Sequence, residues 1–141
     1  MGRGKIENIK KYKKVVYEKT VAVVFGTFAP MHKGHIDLIQ RAKRENDRAV
    51  VIVSGYDQDR GHQIGLGLQK RFRYIRETFN DEPLVSVFKL DETGMPPYPE
   101  GWTPWLEALQ ALVAIKEDEE LVFYVSEKGY AEELRSRGYL A

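Results

Sequence analysis

Two of the chain's three histidines, His32 and His35, stand three residues apart in the stretch Gly26-Thr-Phe-Ala-Pro-Met-His-Lys-Gly-His35. Just before it lies Val21-Ala-Val-Val-Phe25, an apolar run of the kind that forms a strand buried on both faces. Just after it, Ile36, Leu38, Ile39 and Ala42 recur at helical spacing, with Arg41, Lys43 and Arg44 mostly on the other side. The histidines therefore fall where a strand turns into a helix. A helix N-terminus has unpaired N–H groups and a partial positive charge, so it receives phosphate readily, and two imidazoles there add further donors. Gly26 is expected to let the backbone turn after the strand, Pro30 to stiffen the loop, and Gly34 to let a flat ring or a phosphate approach closely. Metal ligation is the weaker reading, because only Asp37 stands near as a third ligand.

The elements that must position this loop are legible as alternating strands and helices. Strands are expected at Ala49–Val53, Leu84–Leu90 and Leu121–Val125, and helices at 34–46, Gln69–Phe79, from Thr103-Pro104 onward, and Ala131–Arg137. Thr103 is read as the N-cap of its helix and Pro104 as its first-turn residue. Such alternation implies an α/β domain with a parallel sheet, here of four or five strands, and ligands bind beyond the carboxyl ends of such strands. The segments at that end are Gly26–His35, Gly55–Gly67, Asp91–Trp102 and Ser126–Tyr130.

Composition narrows the classes. At 141 residues the chain fits one domain, and 43% hydrophobic residues suffice for one core. With no cysteine, thiolate catalysis, disulfides and Cys-based zinc sites are excluded. The net charge of +1 argues against a polycation that seeks nucleic acid. No apolar run approaches the ~20 residues of a bilayer span, and a cytoplasmic protein is expected. Residues 1–20 carry seven basic residues against Glu7 and Glu18 and are read as a leader, helical or not, whose lysines face water, with the domain proper at 21–141.

The pattern Gly26-x-Phe28-x-Pro30-x-His32-x-Gly34-His35 resembles the GxFxPxHxGH signature of the HxGH class I nucleotidyltransferases. Ser54-Gly-Tyr-Asp-Gln-Asp-Arg-Gly61, Lys70-Arg-Phe-Arg-Tyr-Ile-Arg76 and the Trp102/Trp105 loop resemble, more narrowly, the nicotinamide mononucleotide adenylyltransferase domain of NadR-type proteins. The resemblance covers about Val21 to Tyr130 and implies a Rossmann-like nucleotidyltransferase fold. It implies transfer of the adenylyl group of ATP to nicotinamide mononucleotide, giving NAD and pyrophosphate, with Mg²⁺ carried on the triphosphate.

Carried over residue by residue, it implies that His35 contacts the attacked phosphate and His32 the outer phosphates. Gly26 and backbone N–H groups at Thr27 and Phe28 shape the site, Gly34 lies near adenine, and Arg71 points to the phosphates. Trp105, or failing it Trp102, would stack on the cationic nicotinamide ring, and Asp57 would hold a ribose hydroxyl or a phosphate. Asp59, His62 and Arg76 are read as solvated surface residues. The family's second signature, ISxTxIR-like, is not found before Ala141, so a C-terminally truncated fold with lowered turnover is expected. Association through exposed sheet edges is a further expectation. The alternatives are a nucleotide-binding module with little turnover, or a cytidylyl or phosphopantetheine adenylyl transferase.

Overall fold

The computed structural model describes residues 6–10 and 13–141, with side chains from residue 18 onward. Strands β1 (Ile6–Lys10) and β2 (Lys13–Tyr17) pair antiparallel. The leader's backbone is thus extended where it is described, and the placement of its lysines up to residue 17 lies outside the described residues. The domain follows as β3 (Lys19–Gly26), α1 (Lys33–Glu45), β4 (Arg48–Gly55), α2 (Arg60–Gln63), α3 (Leu68–Thr78), β5 (Val85–Asp91), α4 (Trp102–Val113), β6 (Glu119–Tyr124) and α5 (Lys128–Ser136).

The last four strands form one parallel sheet in the order β5-β4-β3-β6. Its two faces are buried by alternate residues of the same strands. Val21, Val23, Val50 and Ile52 face α4 and α5 with Leu106, Leu109 and Leu134. Ala22, Val24, Ala49, Val51 and Val53 face α1 and α3 with Ile39, Ala42 and Ile75. This explains the unbroken apolar runs in the sequence: with helices on both sides, the central residues of β3 and β4 have no wet face. The chain moves outward from β3 through β4 to β5, then returns to the far side of β3 as β6. The crevice beyond the ends of β3 and β6 is therefore the topological switch point, where such sheets bind ligands. Beside β6, Leu140 bridges Val122 in parallel and its carbonyl accepts from Phe123 N–H at 2.8 Å.

Two local expectations change. α4 starts one residue earlier than Thr103, with Gly101 at its N-cap. A Cβ at Gly101 would lie 2.3 Å from the Pro96 carbonyl oxygen, so the preceding loop is folded tightly onto this point. Pro104 then occupies the third helical position, still in the turn whose N–H groups have no helical acceptor. Thr103 uses its hydroxyl to accept from Arg137 at 3.0 Å. The segment after β4 also contains α2, a single turn that the sequence reading treats as loop. At the other end, α5 closes as expected at Gly138, with φ +91°. Gly138 N–H donates to the Arg135 carbonyl and Tyr139 N–H to that of Leu134, the paired bonds of a Schellman stop. Among the described residues no helix is long and apolar enough to cross a membrane.

The edge opposite the switch point is latched by charge. Arg48, at the start of β4, donates Nε to Glu119 Oε2 at 3.1 Å and a terminal nitrogen to Oε1 at 2.9 Å, reaching across β3 to β6. Glu119 is buried, and the bond from Arg48 holds its carboxyl below the usual glutamate range. A lowered carboxylate pKa contributes stability that is present above the ordinary value and lost as pH falls through the lowered one. Arg48→Met is expected to cost about 1–3 kcal/mol at pH 7. Thermal melts should show the gap to the parent narrowing as pH falls below the glutamate range; a gap independent of pH would contradict the latch.

Candidate active site at the sheet switch point

The turn after β3 does not depend on Gly26. That residue is still in register with Val53, and a Cβ there would make only ordinary contact, 3.7 Å, with the Phe28 ring. The chain turns instead at Phe28, whose φ of +51° lies in the left-handed region that bulky side chains avoid. Such a residue costs on the order of 1 kcal/mol or more. Burial of the ring, 4% exposed among Ile39, Val24 and Val53, offsets it. Ala29–Pro30 follows as a cis peptide. The loop is thereby returned over the sheet end to the start of α1.

There the two histidines close on each other. His32 is the N-cap of α1: its Nδ1 accepts from Gly34 N–H at 3.1 Å, while His35 Nδ1 accepts from His32 N–H at 3.1 Å. This is a capping box built from two imidazoles, with the rings stacked at a centroid distance of 3.7 Å. Its consequence is a tautomer assignment. Because each Nδ1 is an acceptor, each neutral ring carries its proton on Nε2, leaving two Nε2–H donors at a helix N-terminus. A Cβ at Gly34 would lie 3.0 Å from His32 Cε1 and 3.1 Å from Nδ1, so the capping ring would have to give by a few tenths of an ångström. His35 also meets the Phe28 ring edge-on at 4.9 Å. Thr27 is exposed at the mouth of the loop, whereas Phe28 can offer a ligand only its backbone.

Beside this loop stands an aromatic wall. Phe25, at the end of β3, lies 4.9 Å from Trp105 and 6.1 Å from Tyr130 of α5, with Trp102 edge-on to Tyr130 at 5.5 Å. Trp102 and Trp105 are each 7% exposed, so both are mostly core, and Tyr98, 63% exposed and 6.2 Å from Trp102, is the open face of the group. Glu92, on the segment after β5, hydrogen-bonds the Trp105 side chain, and burial raises its pKa above the glutamate range, with Asp59 and Asp91 adding to the rise. Tyr98, Tyr130 and Glu92 were not singled out from sequence. The available signal was that all three lie on segments following the carboxyl ends of β5 and β6.

The β4–α3 loop departs most from expectation. Asp57 is exposed, with its N–H 3.3 Å from the Thr93 hydroxyl, and His62 and Arg76 are exposed as read. Asp59, read as solvated, is 4% exposed, because its carboxylate is consumed by Arg71. Arg71, read as a phosphate contact, is 2% exposed and directs both terminal nitrogens at Asp59 and backbone carbonyls. It has no solvent-facing N–H to give a phosphate. The helix periodicity placed it correctly on α3 but could not say that its side points inward. Among the described residues no three His, Asp or Glu gather as a metal site.

Burial, followed by the neighbouring His32, lowers the His35 pKa below the ordinary 6.5. The neutral ring is therefore favoured by the fold; its contribution is present above the unfolded value and lost as pH falls through the lowered one, when protonation of Nδ1 would break the cap. In a protein-detected imidazole titration, His35 should titrate below 6.5 in the free protein and move upward on adding a triphosphate. A titration indifferent to the triphosphate would remove the histidine from the anion site.

The sequence model of the cytidylyltransferase-like family matches residues 23–138. The chain is 37% identical over 122 residues to the trifunctional NAD biosynthesis/regulator protein NadR of Salmonella typhimurium, covering 81% of this chain and 30% of that protein. A crystal structure of a NadR protein in complex with NR superposes with a TM-score of 0.78 at 47% identity, over 84% of this chain and 33% of that one. Another, in complex with NAD and AMP-PNP, gives 0.76 at 45%, over 86% and 36%. The chain thus spans about a third of the length of these relatives. With its histidine-capped loop at the switch point of a parallel sheet, the chain belongs to the cytidylyltransferase-like family of nucleotidyltransferases.

Proposed function

We propose that this domain transfers the adenylyl group of ATP to nicotinamide mononucleotide, forming NAD and releasing pyrophosphate. The observation that carries the reading is the pair of Nε2–H donors that the double-histidine cap leaves at the N-terminus of α1. A triphosphate needs fixed donors for its oxygens, and donors already oriented require no rearrangement as charge shifts during transfer. The similarity to NadR structures holding NR, or NAD with AMP-PNP, supports nicotinamide and adenine nucleotides as the ligands.

In this mechanism the acceptor's phosphate oxygen attacks the α-phosphorus of ATP, the bond to the β-phosphate oxygen breaks, and pyrophosphate leaves. No covalent enzyme intermediate is formed. His35 lies against the α-phosphate and steadies the charge on it, and His32 reaches the departing phosphates. Backbone N–H groups at Thr27 and Phe28 orient the two anions in line. Gly26, in extended conformation at the end of β3, sets the height of that backbone, and Gly34 leaves room for adenine. Mg²⁺ is carried on phosphate oxygens and water as part of the substrate. The chain's own groups here are imidazole and backbone N–H donors, which suit the anion. The pyridinium ring meets the aromatic wall of Trp105 and Trp102 through its open face at Tyr98, where an exposed π-face and the nearby Glu92 carboxylate favour a cation. Asp57 faces the acceptor's ribose.

The test is NAD formation and pyrophosphate release from ATP, Mg²⁺ and nicotinamide mononucleotide. His35→Ala should lower kcat by about 10²–10³-fold. Binding of ATP or NAD without turnover in the parent would instead mark a nucleotide-binding module. Glu92→Gln should raise the KM for the cationic acceptor several-fold while leaving that for ATP unchanged, and equal changes in both would dissociate Glu92 from the acceptor ring.

A further inference from the structure

The buried ion pair between Arg71 and Asp59 is not used by this chemistry, and its bonds run to one segment. One terminal nitrogen of Arg71 donates to Asp59 Oδ2 at 2.8 Å and to the Ser54 carbonyl at 3.2 Å. The other donates to Asp59 Oδ1 at 3.3 Å and to the Leu66 carbonyl at 2.6 Å. Asp59 in turn accepts from the N–H groups of Tyr56 at 3.2 Å and His62 at 2.9 Å, the latter capping α2. One guanidinium thus ties the entry, the middle and the exit of the loop 55–67. Glycine is demanded twice around it: a Cβ at Gly55 would lie 2.2 Å from one terminal nitrogen, and a Cβ at Gly61 1.9 Å from the other.

Stability alone accounts poorly for this arrangement. Desolvating a guanidinium and a carboxylate costs several kcal/mol, which the pairing at best returns, and apolar side chains of similar volume commonly do as well or better. The clamp does shape a surface. It holds Tyr56, Asp57 and Gln58 exposed beyond the end of β4, with Gln58 at a φ of +65°. Those three, with Lys89, Asp91 and Thr93, line an open cavity of about 370 Å³. Asp57 N–H to the Thr93 hydroxyl and Glu92 N–H to the Gly55 carbonyl join the loop to the segment bearing Glu92.

We propose that Arg71 is a positioning residue: through Asp59 it clamps the loop 55–67 into the shape that receives the acceptor nucleotide, without touching that nucleotide itself. The proposal rests on the adenylyltransferase reading for its ligand, and a binding and cleavage readout separates the two. Four acceptors shared between two terminal nitrogens suit a guanidinium fork and not an ammonium, so lysine cannot substitute.

The experiment compares the parent with Arg71→Lys, Arg71→Met and Asp59→Asn, each first checked for a cooperative melt. For each, the dissociation constant of nicotinamide mononucleotide, KM and kcat for both substrates, and the rate of tryptic cleavage after the exposed Arg60 are measured. The clamp predicts that all three weaken acceptor binding by about tenfold or more, with kcat changed far less, and speed cleavage at Arg60. Arg71→Lys should fail to rescue. Should the Arg71 variants not fold, Gly61→Ala, which intrudes on the guanidinium, must give the same shifts. Acceptor affinity and Arg60 cleavage unchanged in folded variants would overturn the proposal. So would a collapse of kcat with acceptor affinity kept, which would put Arg71 on the reacting phosphates. A parent that binds nicotinamide mononucleotide but makes no NAD would sink the transferase reading and leave the clamp to be decided by affinity and cleavage.

Discussion

Everything proposed for the site depends on the closure of the two imidazoles over the first turn of α1. A helix start has more N–H groups than acceptors, and side chains that satisfy some of them are ordinary. Here the satisfying groups are the two imidazoles proposed to meet the phosphates. By accepting through Nδ1, His32 and His35 give up one nitrogen each to the backbone and are left with defined donors on the other. A capping serine would serve the helix equally well but would offer an anion a shorter-reaching donor than an imidazole Nε2–H. The surrounding structure supports this closure: Phe28 is held left-handed by its own burial and stops the His35 ring from one side, and the absence of a side chain at Gly34 makes space for the His32 ring.

The sheet puts the closure where a ligand can use it. Because β6 returns to the outer side of β3, the loop after β3 has α1 on one face and the aromatic layer of α4 and α5 on the other. Donors for an anion and π-faces for a flat cation therefore flank the same strand end. The electrostatic character differs across that short distance. The histidine side presents N–H groups, and the side carrying Asp59, Asp91 and Glu92 holds three carboxylates with Arg71 among them. The proposed substrate pair, a polyphosphate and a pyridinium nucleotide, suits this division.

Arg71 and Asp59 form a charge pair inside the domain, and Arg48 and Glu119 form another at the opposite end. The two differ in what they hold. The Arg48 bond spans regular strands and secures the sheet, whereas the Arg71 bonds gather the end of β4 and the mostly irregular segment after it, in which α2 is a single turn. Irregular backbone needs side-chain partners for its carbonyls, and a guanidinium can serve several at once.

The residues that sequence could assign were those whose meaning is local. Unbroken apolar runs required a sheet covered on both faces, alternation with amphipathic segments required parallel crossovers, and the spacing of His32, Gly34 and His35 after a strand placed two imidazoles at a helix start. These follow because strand period, helix period and caps are set within a few residues. The direction of Arg71, the burial of Asp59, the turn at Phe28 in place of Gly26 and the gathering of Glu92, Tyr98 and Tyr130 around the tryptophans were decided by the tertiary structure. Each depends on a partner distant in the chain or on which side of a helix the core happens to lie, and a charged residue's pattern is the same whether its mate is water or a carboxylate twelve residues away. Local physics could say where the donors are; only the packed fold could say which charges are open to solvent and which are spent holding the loop 55–67.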